Sequence, residues 1–296
     1  MLLEDLPEIR GSYEFDFPLK KLSFLKVGGT CDVLFSPSDV DDLENFLKNR
    51  PENLKLTILG NMSNVLLTDR RIQGCVIILN NLDKIEFLND FVEVEAGAIL
   101  SKFITRCAKE NISCCEKLFC IPGSIGGAVA MNAGIPNFEI KDVLIAIEAI
   151  NLDGKRQIFR KDELNMSYRN GNVPDGFIVT SAKLRTIEKN GDIIFSEIKS
   201  LYEKRLKTQP IGLPTCGSTF KNPEGMKAWE LIKKAGCDKL SIGGAKVSDM
   251  HCNFLINSGN ATASDFVKLI EEIKKRVFEE TGYQLEEEIR RIGDEW

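Results

Sequence analysis

Apolar positions along this chain fall into short blocks of two different periods. Compact runs of Val, Ile, Leu and Phe at about 56–60, 74–79, 91–95, 143–151, 156–160 and 177–186 read as strands. Between them, apolar residues spaced three and four apart predict helices. One spans about 98–110. Another comes after the strand and proline of "CDVLFSPSDVDDLENFLKNR", opened by Ser38 with Asp41 three residues on, a short-acid form of the capping box. A helix or loop near Ser196–Lys207 leads into "TQPIGLPTCGS", whose two prolines make the best linker and put a division near 208. Beyond it the pattern predicts a helix at about 225–235 ended by Gly236, a glycine-rich turn "SIGGAKVSD" and a strand at 251–257. A long amphipathic helix comes last, with Phe266, Leu269, Ile270, Ile273 and Val277 on one face and Gly282 just past its end. The expectation is an α+β chain of two domains, 1–208 and 209–296.

Composition narrows the function classes. A chain of 296 residues, 43% hydrophobic and 28% charged, is long enough for two cores and too mixed for a disordered or membrane-spanning protein. No apolar run is long enough to span a membrane, and "MLLEDLPEIR" lacks the basic flank of a signal peptide, so a cytoplasmic location is expected. A net charge of −5 argues against nucleic acid as a partner. Nine cysteines form no CxxC pair and there is one histidine, so no metal site is expected. The adjacent Cys114 and Cys115 read as buried small apolar residues rather than a redox pair. Oligomeric state is not legible.

The chemistry lies in glycine-bearing loops. Four stand in the first domain: "KVGGT" (26–30), "LGNMSN" (59–64), "RRIQGC" (70–75) and "IPGSIGGAVAMNAG" (121–134). Any one alone is a tight turn; several between strands can converge on one long anionic ligand. None has the GxGxxG spacing of a Rossmann dinucleotide site. The loop after strand 56–60 offers backbone N–H groups and small polar side chains, a usual way to hold a phosphate. Its centre, however, is Met62 where glycine would be expected.

Taken in order, "IPGSIGGAVAMNAG", "SYR" (167–169), "GSTFKNP" (217–223), "GGAKVSDMHCNFLINSGNATASD" (243–265) and "LEEEIRRIG" (285–293) resemble the UDP-N-acetylenolpyruvoylglucosamine reductase family, in its compact, type II-like branch. The resemblance runs from about Lys21 to Gly293. It implies a two-subdomain FAD-binding domain of the vanillyl-alcohol-oxidase/PCMH type plus a C-terminal α+β substrate-binding domain. It also implies FAD as cofactor, NADPH as reductant and a UDP-sugar enolpyruvyl ether as the small-molecule substrate. By position, the catalytic residues it implies are Arg169, Ser218 and Glu288. Those implied to hold the cofactor are Gly60, Asn61, Met62, Ser63, Asn64, Pro122, Gly123, Ser124, Gly126, Gly127, Asn132 and Gly134. Lys207, Asn222, His251 and Arg290 are implied as substrate contacts, Arg290 because alternation along a strand would put it on the face of Glu288.

The chain departs from the family pattern at four places. Met62 stands in a loop that is typically G-x-G-S-N, Gly171 where serine is usual two residues after the arginine, and Cys120 before "IPG" where glycine is usual. Glu287 takes a proline position next to Glu288. On the residues alone, another flavin oxidoreductase of the same fold and a catalytically silent nucleotide-binding protein stay open as alternatives.

Overall fold

The computed structural model describes residues 5–294 and 296. Contacts divide the chain into two compact units. The first takes the residues up to Phe15, Val33–Asn61 and Gly74–Tyr202; the second takes Asp16–Asp32, Met62–Gln73 and the residues from Glu203 onward.

The first unit is built on a five-stranded antiparallel sheet, in the order Arg156–Arg160, Leu144–Asn151, Phe177–Arg185, Phe91–Glu95 and Ile85–Phe87. A four-stranded sheet orders Ser12–Pro18, Thr30–Ser36, Ile72–Ile78 and Leu56–Leu59. Helices α1 (Val40–Asn49), α2 (Leu100–Lys109), α3 (Ile125–Ala130) and the single turn α4 (Lys161–Leu164) complete it. α1 buries Leu43, Phe46 and Leu47, each stabilising by about 1.5–3 kcal/mol. Its cap is Asp39, not the expected Ser38. The backbone is still extended at Asp39, whose carboxylate accepts from Asp42 N, so the helix starts one residue later.

Near the division the chain forms one helix, α5 (Gly191–Thr208), where helix or loop had stayed open. The second unit holds a four-stranded antiparallel sheet in the order Thr215–Ser218, Phe254–Asn257, Ala245–Val247 and Ser241–Ile242. With it are α6 (Ala228–Lys234) and α7 (Ala263–Thr281). The expected apolar face of α7 is buried throughout, and Gly282 ends the helix in the left-handed conformation at φ +72. α6 begins at Ala228 rather than near 225 because Pro223–Met226 form a separate turn, closed by Met226 N on Pro223 O with Gly225 at φ +71, and Lys227 is still extended. The strand expected from 251 begins at Phe254, whose N–H closes a turn on the His251 carbonyl. Leu25, Val27 and Leu66 pack into the core of this unit beside Phe266 and Leu269. Val65–Leu67 pairs in parallel with Arg290–Ile292. The second unit is therefore not a continuous C-terminal block.

All nine cysteines are free thiols, and all but Cys120 are buried. Burial pushes the Cys31 and Cys237 thiols up to about 11, so they are packing groups rather than nucleophiles at neutral pH. No described helix is long and apolar enough to cross a membrane.

Candidate active site

Strand Leu56–Leu59 delivers Gly60 against the start of α3. A Cβ on Gly60 would stand 3.1 Å from the Ser124 hydroxyl and 3.8 Å from Gly127 Cα. Ser124 is the N-cap of α3 and accepts from Gly127 N at 3.4 Å. That helix start is stitched to the preceding turn: Ile125 N donates to Ala98 O at 2.9 Å and Gly126 N to Ala96 O at 2.8 Å. Gly126 is required there, since a Cβ would lie 2.9 Å from that of Ala96. Gly127 faces open space apart from Ser124 Oγ. Gly60 and Gly127 thus form a floor free of side chains with a hydroxyl set in it, which fits the backbone approach of a diphosphate.

Met62 has φ +51, a left-handed conformation that favours glycine, and the residue is only 4% exposed. Left-handed backbone costs roughly 1–2 kcal/mol, while burying a methionine returns about 1.5–3 kcal/mol. Burial of the side chain therefore offsets the backbone cost.

Arg169 sits at the tip of a tight turn in which Ser167 and Asn170 exchange backbone bonds at 2.9 and 3.0 Å. Its φ is +57, and its guanidinium lies 4.8 Å from the centre of the Tyr168 ring. Gly171 N donates to Ala130 O at 3.0 Å, fixing the turn to the end of α3. A Cβ at Gly171 would stand 2.0 Å from Val129 O, which accounts for glycine in place of serine. Two residues expected at the cofactor stand in the packing behind the α3 end. Asn132 is fully buried, and Gly134 pairs with Glu139, whose Cγ would be 2.6 Å from an added Cβ.

In the second unit the structure brings Ser218 and Glu288 onto adjoining segments. Strand Thr215–Ser218 breaks register against Phe254–Asn257, with Gly217 at φ +81 in the irregular stretch. Asn253, 4% exposed, clamps the two residues after Ser218. Its backbone carbonyl accepts from Thr219 N at 2.7 Å, its Oδ1 accepts from Phe220 N, and its Nδ2 donates to Phe220 O. Glu288 N then donates to Thr219 O at 2.8 Å. Glu288 O accepts from Asn64 Nδ2 at 3.0 Å, and Asn64 O accepts from Arg290 N at 3.0 Å. So the last residue of the 60–64 loop grips the segment that carries Glu288. Sequence reasoning missed Asn253 and this second role of Asn64; the only signal was an asparagine entering each strand.

The acids beside Glu288 are committed elsewhere. Glu286 pairs with Lys221 at 3.2 Å, while Glu287 takes Arg291 through two nitrogens at 2.7 and 2.8 Å. Glu288 and Ile289 form a bend and the strand starts only at Arg290, so strand alternation does not relate Arg290 to Glu288. The side-chain oxygen of Asn222 accepts from Ala228 N at the start of α6, leaving its amide N–H groups as donors. His251 accepts from Asn253 N at 3.3 Å through Nδ1 and sets its ring edge-on to Phe254 at 4.9 Å. Burial lowers its pKa, so the imidazole is neutral. Lys207 is exposed in the last turn of α5. Among the described residues no group of His, Cys, Asp and Glu side chains could hold a metal ion.

Known proteins resemble the chain in two consecutive parts. Residues 31–160 match a family model described as FAD binding domain. Residues 209–292 match that of the UDP-N-acetylenolpyruvoylglucosamine reductase C-terminal domain. A protein of that name from Parvibaculum lavamentivorans is 43% identical over 297 residues, covering 99% of this chain and 94% of its own. One from Rickettsia prowazekii is 40% identical over 289 residues, 97% of this chain and 98% of its own. The crystal structure of UDP-N-acetylenolpyruvylglucosamine reductase from Thermus caldophilus superposes with a TM-score of 0.82 at 31% identity, covering 96% of this chain and 99% of that one.

Proposed function

The chain belongs to the UDP-N-acetylenolpyruvoylglucosamine reductase family, and from that premise we propose how its residues divide the reaction. The protein is an FAD-dependent oxidoreductase that uses NADPH to reduce UDP-N-acetylglucosamine enolpyruvate to UDP-N-acetylmuramate, in peptidoglycan precursor synthesis. FAD, held by the glycine loops, would supply the two-electron chemistry that links NADPH to the double bond of the enolpyruvyl ether. The chain's own residues deal with the charge and the proton. Hydride addition leaves negative charge on the adjacent carbon, delocalised into the carboxylate. Arg169 holds that carboxylate by two parallel N–H contacts and neutralises the charge as it grows. Ser218 delivers the proton that completes addition across the double bond. A serine hydroxyl is a weak acid, so it works by close placement and resupply of its proton. Glu288 stands beside the carboxylate and assists its polarisation.

The cofactor is held by the loops at Gly60–Asn64 and Pro122–Gly127. On the substrate side, Lys207 meets the diphosphate and Asn222 offers its amide N–H groups to the UDP. The neutral imidazole of His251 and the Arg290 guanidinium line the same ligand. Residues 1–208 form the cofactor-binding domain, which also lends Arg169 and Lys207 to the substrate, and 209–296 form the substrate-binding domain. The observation that most supports this reading is the 2.8 Å bond from Glu288 N to Thr219 O, next to Ser218 in the chain.

Following the flavin absorbance of the Ser218→Ala protein tests it. NADPH should still bleach the colour, and the enolpyruvyl substrate should fail to restore it. Normal reoxidation would remove Ser218 as proton donor. A colourless protein that takes up no added FAD would overturn the whole reading.

A further inference from the structure

Asn132 is fully buried, has φ +41 and comes directly after the C-terminal cap of α3. Its Nδ2 donates to Ser167 O at 2.8 Å and to Glu139 Oε2 at 3.0 Å, and its Oδ1 accepts from Lys141 N at 3.3 Å. The orientation of the amide is fixed by its surroundings: a carbonyl and a carboxylate face one end and an N–H faces the other. Glu139 is itself held, by Lys141 Nζ at 2.6 Å. Ser167 is the first residue of the turn that presents Arg169, and Gly171, just past that turn, bonds to Ala130. Both ends of the turn are thereby tied to the residues that close α3, the helix whose other end forms the glycine floor.

We propose that Asn132 is a positioning residue for Arg169, holding the 167–170 turn so that the guanidinium meets the substrate carboxylate, and does not itself bind the cofactor. This rests on the role given to Arg169 above. The turn needs such a mount. Arg169 is a non-glycine residue at positive φ, a conformation that persists only when its surroundings over-determine it. A bidentate contact also tolerates little angular error. A buried asparagine is suited to the task, because asparagine accepts left-handed backbone and can reach two acceptors at once.

The test uses FAD-loaded Asn132→Asp, Asn132→Gly, Arg169→Lys and Asn132→Gly/Arg169→Lys proteins, with the two half-reactions timed separately from flavin absorbance. Asn132→Asp keeps the shape and replaces the donor by an acceptor; Asn132→Gly keeps the backbone and adds no buried charge. In both, bleaching by NADPH should stay within about two-fold of the parent. Reoxidation by the enolpyruvyl substrate should slow about 10–100-fold, as expected for a displaced contact group. The double variant should be no more than about two-fold slower than Arg169→Lys alone, because both changes act through one contact. Loss of flavin, equal slowing of both half-reactions, full additivity, or failure of both Asn132 variants to fold would each overturn the proposal. Impaired Arg169→Lys beside unimpaired Asn132 variants would sink this proposal alone. Unimpaired Arg169→Lys would remove the catalytic reading of Arg169, and this proposal with it.

Discussion

Met62 and Arg169 share an unusual backbone, φ +51 and φ +57, and spend it differently. Met62 recovers the strain by burying its side chain. Replacing it with glycine relieves roughly 1–2 kcal/mol of left-handed strain and gives up about 1.5–3 kcal/mol of burial. Met62→Gly should therefore melt slightly lower than the parent in the absence of FAD, measured by thermal unfolding; a higher Tm would show that the side chain contributes nothing. Gly171 makes the opposite case. Serine is the residue usual in the family, yet its Cβ would meet Val129 O at 2.0 Å. Gly171→Ser should lose about 1–3 kcal/mol of stability and slow flavin reoxidation more than flavin reduction, because the turn it displaces carries Arg169.

Among the elements, α7 shows how a helix end can be set from outside its own sequence. Thr262 and Asp265 form a capping box. The carboxylate of Asp69, far away in the chain, accepts from Ala263 N at 2.8 Å and Ser264 N at 3.0 Å. Asp69→Ala should cost about 1–2 kcal/mol, the loss of a strong cap, readable as a lower denaturation midpoint. The Thr262 N–H on the Asp265 carboxylate holds that group below the usual carboxylate range. Its contribution is present above the unfolded-state pKa and is lost as pH falls through the lower folded value. Asp265→Asn should therefore flatten the acid limb of Tm against pH. α7 itself was legible in the sequence because its period and its capping residues agree. The cap of α1 was misread by one residue because Ser38, Asp39 and Asp41 are all plausible caps, and only the backbone turn selects among them. Asn253 and Asn64 were not legible in their clamping roles, since their partners lie far off in the chain and asparagine carries no periodic signal.

At the scale of the whole molecule, the linker prolines near 208 suggested two consecutive domains, whereas each compact unit is assembled from separated stretches. Local pattern reveals strands and helices one at a time. It does not reveal that Val65–Leu67 takes Arg290–Ile292 as its neighbour, because parallel pairing over such a distance leaves no mark on either strand. The cofactor loops and the Ser218 and Glu288 motifs were legible as short ordered patterns, while their mutual support was not.

That pairing also sets a clock on biosynthesis. Asn64 and Glu288, which it brings together, are 224 residues apart in the chain. At the ribosome's pace of about 5–20 residues per second, that separation takes roughly ten to forty-five seconds to synthesise, while Leu25, Val27 and Leu66 wait for their core partners. During synthesis these apolar side chains have no finished core to enter. A nascent chain stalled near residue 208 should bind holdase chaperones through 16–32 and 62–73, and release should come with emergence of the last strand.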